Sequence, residues 1–178
     1  MFGFGRKKKE QEKQAPAPVP VTMQDLTVSF AHLANREVLL EDWRWLVGPS
    51  LQPVLVTASG DAFLQDASDG SVHVLDTIAG EVSRVAGSVD ELRALLGDRG
   101  FVTGYLAVEM VSDLKRAGRL LGPGQVYGWK VPPALGGEVA PHNVEPTDMD
   151  VHFSITGQIH EQIRGKQPGT RITGVTGG

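Results

Sequence analysis

The sequence predicts an α+β fold: an antiparallel β-meander packed against several helices in a single domain. Three observations predict it. Residues 54–86 read as four strands joined by turns at Gly60-Asp61, Asp69-Gly70 and Ala79-Gly80, where glycine accepts the positive φ of a tight reversal. Apolar residues at helical spacing recur on both sides of that block. The chain of 178 residues, 40% apolar, is long enough for one domain-sized core, and with only 6% aromatic residues that core is expected to be mainly Val, Leu, Ile and Ala.

Residues 1–21 are expected to form a disordered tail. Arg6, Lys7, Lys8, Lys9 and Lys13 precede Pro16, Pro18 and Pro20, whose alternation favours extended, polyproline-like chain. Phe2 and Phe4 beside the basic cluster would allow weak contact with an anionic membrane surface. Residues 22–47 are expected to be helical in two pieces. Thr22 caps the first, with Asp25 in the capping-box position, and Leu26, Phe30 and Leu33 share a face. Val38, Leu39, Trp43 and Leu46 repeat the pattern before Gly48-Pro49 ends it, and Trp43 is expected to pack on the sheet.

The strands of the meander are read as Val54–Ala58, Ala62–Gln65, a third over 72–77 and Glu81–Ala86. In the third, Val72, Val74 and Asp76 alternate with His73, Leu75 and Thr77, giving two different faces. Ser88 and Glu91 then form a capping box for a short helix to Leu96, with Leu92, Leu95 and Leu96 as its buried stripe. A longer helix is expected at about Thr103–Ala117, carrying Leu106, Met110 and Leu114 on one face. Residues 122–147 read as loop-rich, with a strand over Gln125–Val131 stopped by Pro132-Pro133. Val151, Ile155, Ile159 and Ile163 fall on an i, i+4 row and predict a last helix, although Gly157 opposes it and the alternation of Val151, Phe153 and Ile155 leaves an initial strand open. The folded body therefore spans 22–164, and the Gly/Thr-rich residues 165–178 are expected to be flexible.

Composition narrows the chemistry. The absence of cysteine excludes disulfides, thiolate nucleophiles and Cys-ligated metals. No apolar run approaches the roughly 18–20 residues that span a bilayer, and no apolar stretch follows the basic N-terminus as in a secretory signal, so a cytoplasmic location is expected. The net charge of −4 is unevenly spread. Residues 1–13 hold five basic and two acidic residues, a net +3, whereas the remainder holds 12 basic and 19 acidic, a net −7. An acidic body disfavours nucleic acid and suits a basic protein partner.

No catalytic or cofactor constellation emerges. His160-Glu161 lacks the second histidine of H-E-x-x-H, and His152 and His160 lie eight apart, too far to share one ion. Each is expected to bond a loop carbonyl instead. Asp61, Asp66, Asp69 and Asp76 lack EF-hand spacing and are expected to bond backbone amides at turns. Ser59 lacks the glycine two residues upstream that a nucleophile elbow requires. The glycines of 122–124 and 136–137 lack phosphate-loop spacings, and Tyr127 and Trp129 have only Lys130 as basic company. No metal, cofactor or catalytic residue is expected.

Three stretches carry a family resemblance: S-G-D-A-F-L-Q-D at 59–66 running on through D-G-S-V-H-V-L-D-T at 69–77 to the Glu91-Leu92 helix, Y-G-W-K-V-P-P-A-L-G-G at 127–137, and V-H-F-S-I-T-G-Q-I-H at 151–160. In order and spacing these resemble the C-terminal domain of type VI secretion system immunity proteins that protect against DNase effectors. The sequence departs from the family where members carry F-G-D and Ser59 stands here, and where many carry an additional N-terminal domain. The resemblance implies an α+β fold and a non-enzymatic partner-binding role, and it brings no catalytic residues.

The expectation is therefore a protein that binds and neutralises a cognate toxin, with a basic nuclease as the expected class. Trp129, His142, Glu145, Asp148 and Asp150 are its candidate partner-binding residues, because a Pro/Gly-rich loop on a rigid scaffold is where binding residues tend to lie. A second reading is a cytoplasmic adaptor whose basic tail touches the membrane surface.

Overall fold

The computed structural model describes residues 19–166; of the expected tail and flexible end, residues 1–18 and 167–178 lie outside the described residues. The meander forms as expected: β2 (Leu51–Thr57), β3 (Ala62–Asp66), β4 (Val72–Asp76) and β5 (Glu81–Ala86) pair antiparallel in chain order. Gly60, Gly70 and Gly80 sit at the three turns with φ of +88°, +76° and +69°, which a residue with a Cβ adopts only with strain. A fifth strand was not expected. Thr27–Val28 (β1) follows the single helical turn α1 (Met23–Leu26) and pairs with Thr57 and Val56 at the edge of β2. The helix expected through residues 22–33 thus stops after one turn. The capping box at its start is real, with the Asp25 carboxylate accepting from the Thr22 amide at 2.7 Å and the Thr22 hydroxyl at 2.9 Å. Because β1 covers only Val56 and Thr57, the part of β2 that holds Pro53 has no partner on that side, where proline's missing N–H costs nothing.

Both faces of the sheet are covered, which the alternating pattern requires. Phe63, Val72 and Val74 face one core with Leu92, Leu106, Val111 and Leu114. These come from α3 (Val89–Leu95), the Leu106 junction, and α5 (Val108–Arg116). Ala62, Leu64 and Leu75 face the other core with Leu39, Leu40, Trp43, Met149 and Phe153. That side is built by a 3-10 segment (Arg36–Trp43), the single turn α2 (Arg44–Val47) and α6 (Met149–Ile163). Trp43 and Phe153 are fully buried, and burial of side chains this size stabilises by about 1.5–3 kcal/mol each.

Three expectations on the helical side need correction. The helix over Thr103–Ala117 is two helices, α4 (Arg99–Tyr105) and α5, broken where Ala107 takes φ +48°. Ser88 does accept from the Glu91 amide at 3.1 Å, but the Glu91 carboxylate reaches back to the Gly87 amide at 2.6 Å, one residue before the cap. The last element is helix throughout, and the competing strand over 151–155 is absent. Its buried side holds Met149, Phe153 and Ile159, while Val151 is exposed, so the expected i, i+4 row names the right element and only partly the right face.

The loop-rich segment also holds more structure than its composition suggests. β6 (Gln125–Trp129) pairs antiparallel with β7 (Val144–Asp148) as a separate two-stranded sheet. The Tyr127 amide donates to the Ala58 carbonyl at 2.7 Å, which fastens this hairpin to the end of β2. β7 runs directly into α6. No described helix is long and apolar enough to cross a membrane.

Candidate partner-binding surface

The polar residues of the meander are spent on structure. Asp66 and Asp69 accept from the amides of Ser68 and Ser71, and Asp76 from those of Ile78 and Ala79, the local turn bonds that were expected. Asp61 differs. Its carboxylate accepts from the Thr77 amide at 2.9 Å, sixteen residues on and just past the end of the neighbouring strand β4. Burial, opposed by the Thr77 amide and helped by Asp76, pushes its pKa up to about 6.

His152 and His160 bond turn carbonyls, as expected. His152 Nε2–H donates to the Gly60 carbonyl and His160 Nε2–H to the Thr77 carbonyl, both at 3.1 Å. Their spacing now has a reason. Eight residues advance a helix by about 12 Å. The β2–β3 and β4–β5 turns lie two strands apart at one end of the sheet, about 10 Å. Each ring lies against a glycine, Gly60 or Gly80, where an added Cβ would strike it. Among the described residues no group of three metal-ligating side chains converges. The histidines are rivets that fix α6 to the sheet.

The β6–β7 connection has a different character. Residues 130–143 are an irregular loop clamped from beneath. The buried Asn143 amide spans it: its Oδ1 accepts from the Val131 amide at 3.0 Å, and its Nδ2 donates to the carbonyls of Val131 at 2.7 Å and Glu138 at 2.9 Å. Arg119, beyond the end of α5, donates to the carbonyls of Pro141 at 2.7 Å and Val144 at 3.0 Å. Lys130 Nζ donates to the His142 carbonyl at 2.9 Å. Gly137 lies so close to the Val131 carbonyl that any Cβ would collide with it. Replacing Asn143 by Ala leaves the Val131 amide and carbonyl unpaired, while the Glu138 carbonyl keeps its bond from the Ala140 amide. We expect a local cost of about 2 kcal/mol and therefore roughly 30-fold faster exchange of the Val131 amide, read by hydrogen exchange, with the sheet amides unaffected.

The clamp turns backbone inward and side chains outward. Val131, Leu135 and Val139 are 50%, 42% and 66% exposed, three aliphatic side chains on one short loop. This is the feature that sequence reading passed over; the available signal was aliphatic residues placed between Pro/Gly pairs.

The five candidate residues do not form one patch. Trp129 pairs with Val144 at the loop end of the hairpin, and His142 and Glu145 are exposed beside it. His142 Nε2 is 3.3 Å from Glu138 Oε2. Trp129 is part-buried against the core, and with Pro132, Pro133 and His160 it walls a small cavity beneath the loop. Asp148 pairs with Gln125 at the opposite end of the hairpin, four residues and about 13 Å along β7 from Val144, and Asp150 opens α6 there. Glu145 and Asp148 stand on β7 and Asp150 on a helix, so only His142 lies on the loop to which all of these were assigned.

A larger groove of about 590 Å³ runs between β1, α5 and residues 120–125. Its charged groups satisfy each other: Lys115 Nζ lies 2.8 Å from Asp25 Oδ1, and this contact, with the Thr22 amide, holds the Asp25 carboxyl down to about 2.

Residues 86–160 match the family described as T6SS immunity protein Tdi1, C-terminal. The match begins at the end of β5, takes in the whole clamped loop and ends within α6. It bears out the resemblance read from the sequence across the second and third stretches, and across the last few residues of the first. No curated protein matches the chain. Among solved structures, the crystal structure of Atu4351 from Agrobacterium tumefaciens is similar, with 20% identity and a TM-score of 0.52 over 70% of this chain. The alignment covers 65% of that protein's chain, and at this identity the likeness is one of fold.

Proposed function

From the match over residues 86–160, we propose that this chain is an immunity-type protein: a non-enzymatic binder that neutralises a protein toxin by occupying it. The observation that carries the reading is that the matched stretch contains a loop whose backbone is tied down by the Asn143, Arg119 and Lys130 side chains, with aliphatic side chains presented to solvent. Preorganisation of this kind removes the ordering cost that weakens binding by flexible loops.

A nuclease is the favoured toxin class. The described residues hold 11 basic and 19 acidic side chains, and a nuclease offers such a body the basic surface that otherwise receives DNA. Trp129, His142 and Glu145 would border the contact at one end of the hairpin, and Asp148 and Asp150 would extend its acidic side at the other. A toxin that attacks nucleic acid would be met in the cytoplasm, and a cytoplasmic location belongs to the same proposal.

The test is co-expression. Effector genes from the source bacterium are induced in a bacterial host with and without this chain. We expect at least one lethal effector to be suppressed, and the pair to co-purify at fixed stoichiometry. Suppression of none would overturn the reading. Suppression without any physical association would replace direct binding with an indirect mechanism.

A further inference from the structure

We infer that the toxin docks on the outer face of the clamped loop, with Val131, Leu135 and Val139 as the apolar centre and Glu138, His142 and Glu145 around it; the occupant is a basic protein that offers an apolar pocket. This inference rests on the immunity reading and deepens it by naming the surface.

Three observations carry it. The positions that carry the aliphatic side chains lie on one closed segment, because the Asn143 amide ties Val131 to Glu138 and Leu135 stands between them. They are exposed while the backbone that carries them is tied down from beneath, so the loop holds them toward solvent. The flanking charges are also sorted. The cationic groups of Lys130 and Arg119 are engaged with backbone carbonyls, while the Glu138 side chain is 72% exposed and Glu145 is exposed. An apolar centre with a polar rim is the usual anatomy of a specific interface, with affinity concentrated in the few residues that become fully desolvated. The net charge of −8 over the described residues selects a basic occupant and hastens its arrival.

The probe is the effector whose lethality the wild-type chain suppresses on co-expression. Val139→Asp and Leu135→Asp each place a charge at the centre of the proposed contact, and Leu120→Asp places one at an equally exposed aliphatic site in the groove beside α5. Both loop variants are expected to lose at least about 30-fold in affinity and to lose protection, while Leu120→Asp retains both. A photo-crosslinking residue at position 139 is expected to capture the effector even if an aspartate variant folds poorly. The association rate of the wild-type pair is expected to fall as salt is raised. Full protection by the loop variants, with no crosslink from 139, would overturn the docking surface and leave the immunity reading standing. An association rate indifferent to salt would overturn the basic occupant. Failure of the wild-type chain to suppress any effector would remove the reading on which the inference rests.

Discussion

Gly157→Ala is expected to destabilise the protein by about 2–3 kcal/mol, although alanine is the better helix former. Helix propensity alone predicts a gain of about 1 kcal/mol in mid-helix. Gly157 is buried in α6, and a Cβ there would lie 2.6 Å from the Asp42 carbonyl oxygen and 2.8 Å from its carbon. That contact is backbone, so it cannot be relieved by rotating a side chain; the helix or the 3-10 segment has to move. Ser154 donates to the Asp42 carboxylate at 2.6 Å, and Trp43 packs against His160, so displacement there disturbs bonds on either side of the contact. Gly104 in α4 provides the opposite case, with nothing within 4 Å of its added Cβ. Gly104→Ala is expected to stabilise by up to about 1 kcal/mol. Thermal unfolding separates the two: a fall in Tm of roughly 5–10 °C for Gly157→Ala and a rise of a few degrees for Gly104→Ala. A rise for both would mean that α6 does not approach the 3-10 segment as closely as the structure shows.

The same glycine marks the boundary of what the sequence discloses. Local signals were legible. The glycine turns, the Asp66, Asp69 and Asp76 side chains that bond within three residues, and the Ser88 cap each involve atoms close in sequence. What a residue meets across the fold was not legible. Gly157 looked like a defect in a helix because Asp42, its reason, lies over a hundred residues away. Asp61 resembled its neighbours at turns, yet its main partner is the Thr77 amide. Thr27–Val28 was absorbed into a helical spacing although Thr and Val favour strands; pairing with Val56 and Thr57 decided the matter. β7 contains Pro146 and no apolar alternation, and it is a strand only because β6 lies beside it. The loop between β6 and β7 was singled out and its exposed aliphatic residues were not, because their exposure depends on the Asn143 and Arg119 clamp, whose bonds are invisible in sequence.

Between pH 7 and pH 4 the wild-type protein is expected to show little change in stability from its buried titrating pair, and Asp61→Asn is expected to expose a loss of about 3 kcal/mol. Thr77 Oγ1 joins the two groups, 3.1 Å from Asp61 Oδ1 and 3.3 Å from His152 Nε2. Burial raises Asp61 from 3.8 to about 6 and lowers His152 from 6.5 to about 4. The raised carboxyl contributes stability that is fully present below pH 3.8 and lost as pH rises through 6. The lowered imidazole contributes stability that is present above pH 6.5 and lost as pH falls through 4. Each effect is about 3 kcal/mol at roughly 1.4 kcal/mol per pH unit, and the signs are opposite. In the unfolded chain the first proton goes to histidine; in the folded chain it goes to aspartate. The number of protons bound is nearly the same in both states, so the slope of stability with pH nearly vanishes.

Asn at position 61 keeps the shape and can still accept from the Thr77 amide, but it removes the carboxyl half of this balance. Urea unfolding at pH 7, 5.5 and 4 is then expected to show the variant losing about 3 kcal/mol relative to wild type as pH falls, with the His152 ring remaining neutral to about pH 4 in its NMR titration. Parallel profiles for the two proteins would show that Asp61 is not held un-ionised in the fold. His160 and Thr77 of the same cluster also line the cavity beneath Trp129 and Pro133. The titrating pair thus shares Thr77 with the base of the clamped loop, and its expected cancellation leaves that residue's surroundings with little pH dependence of stability.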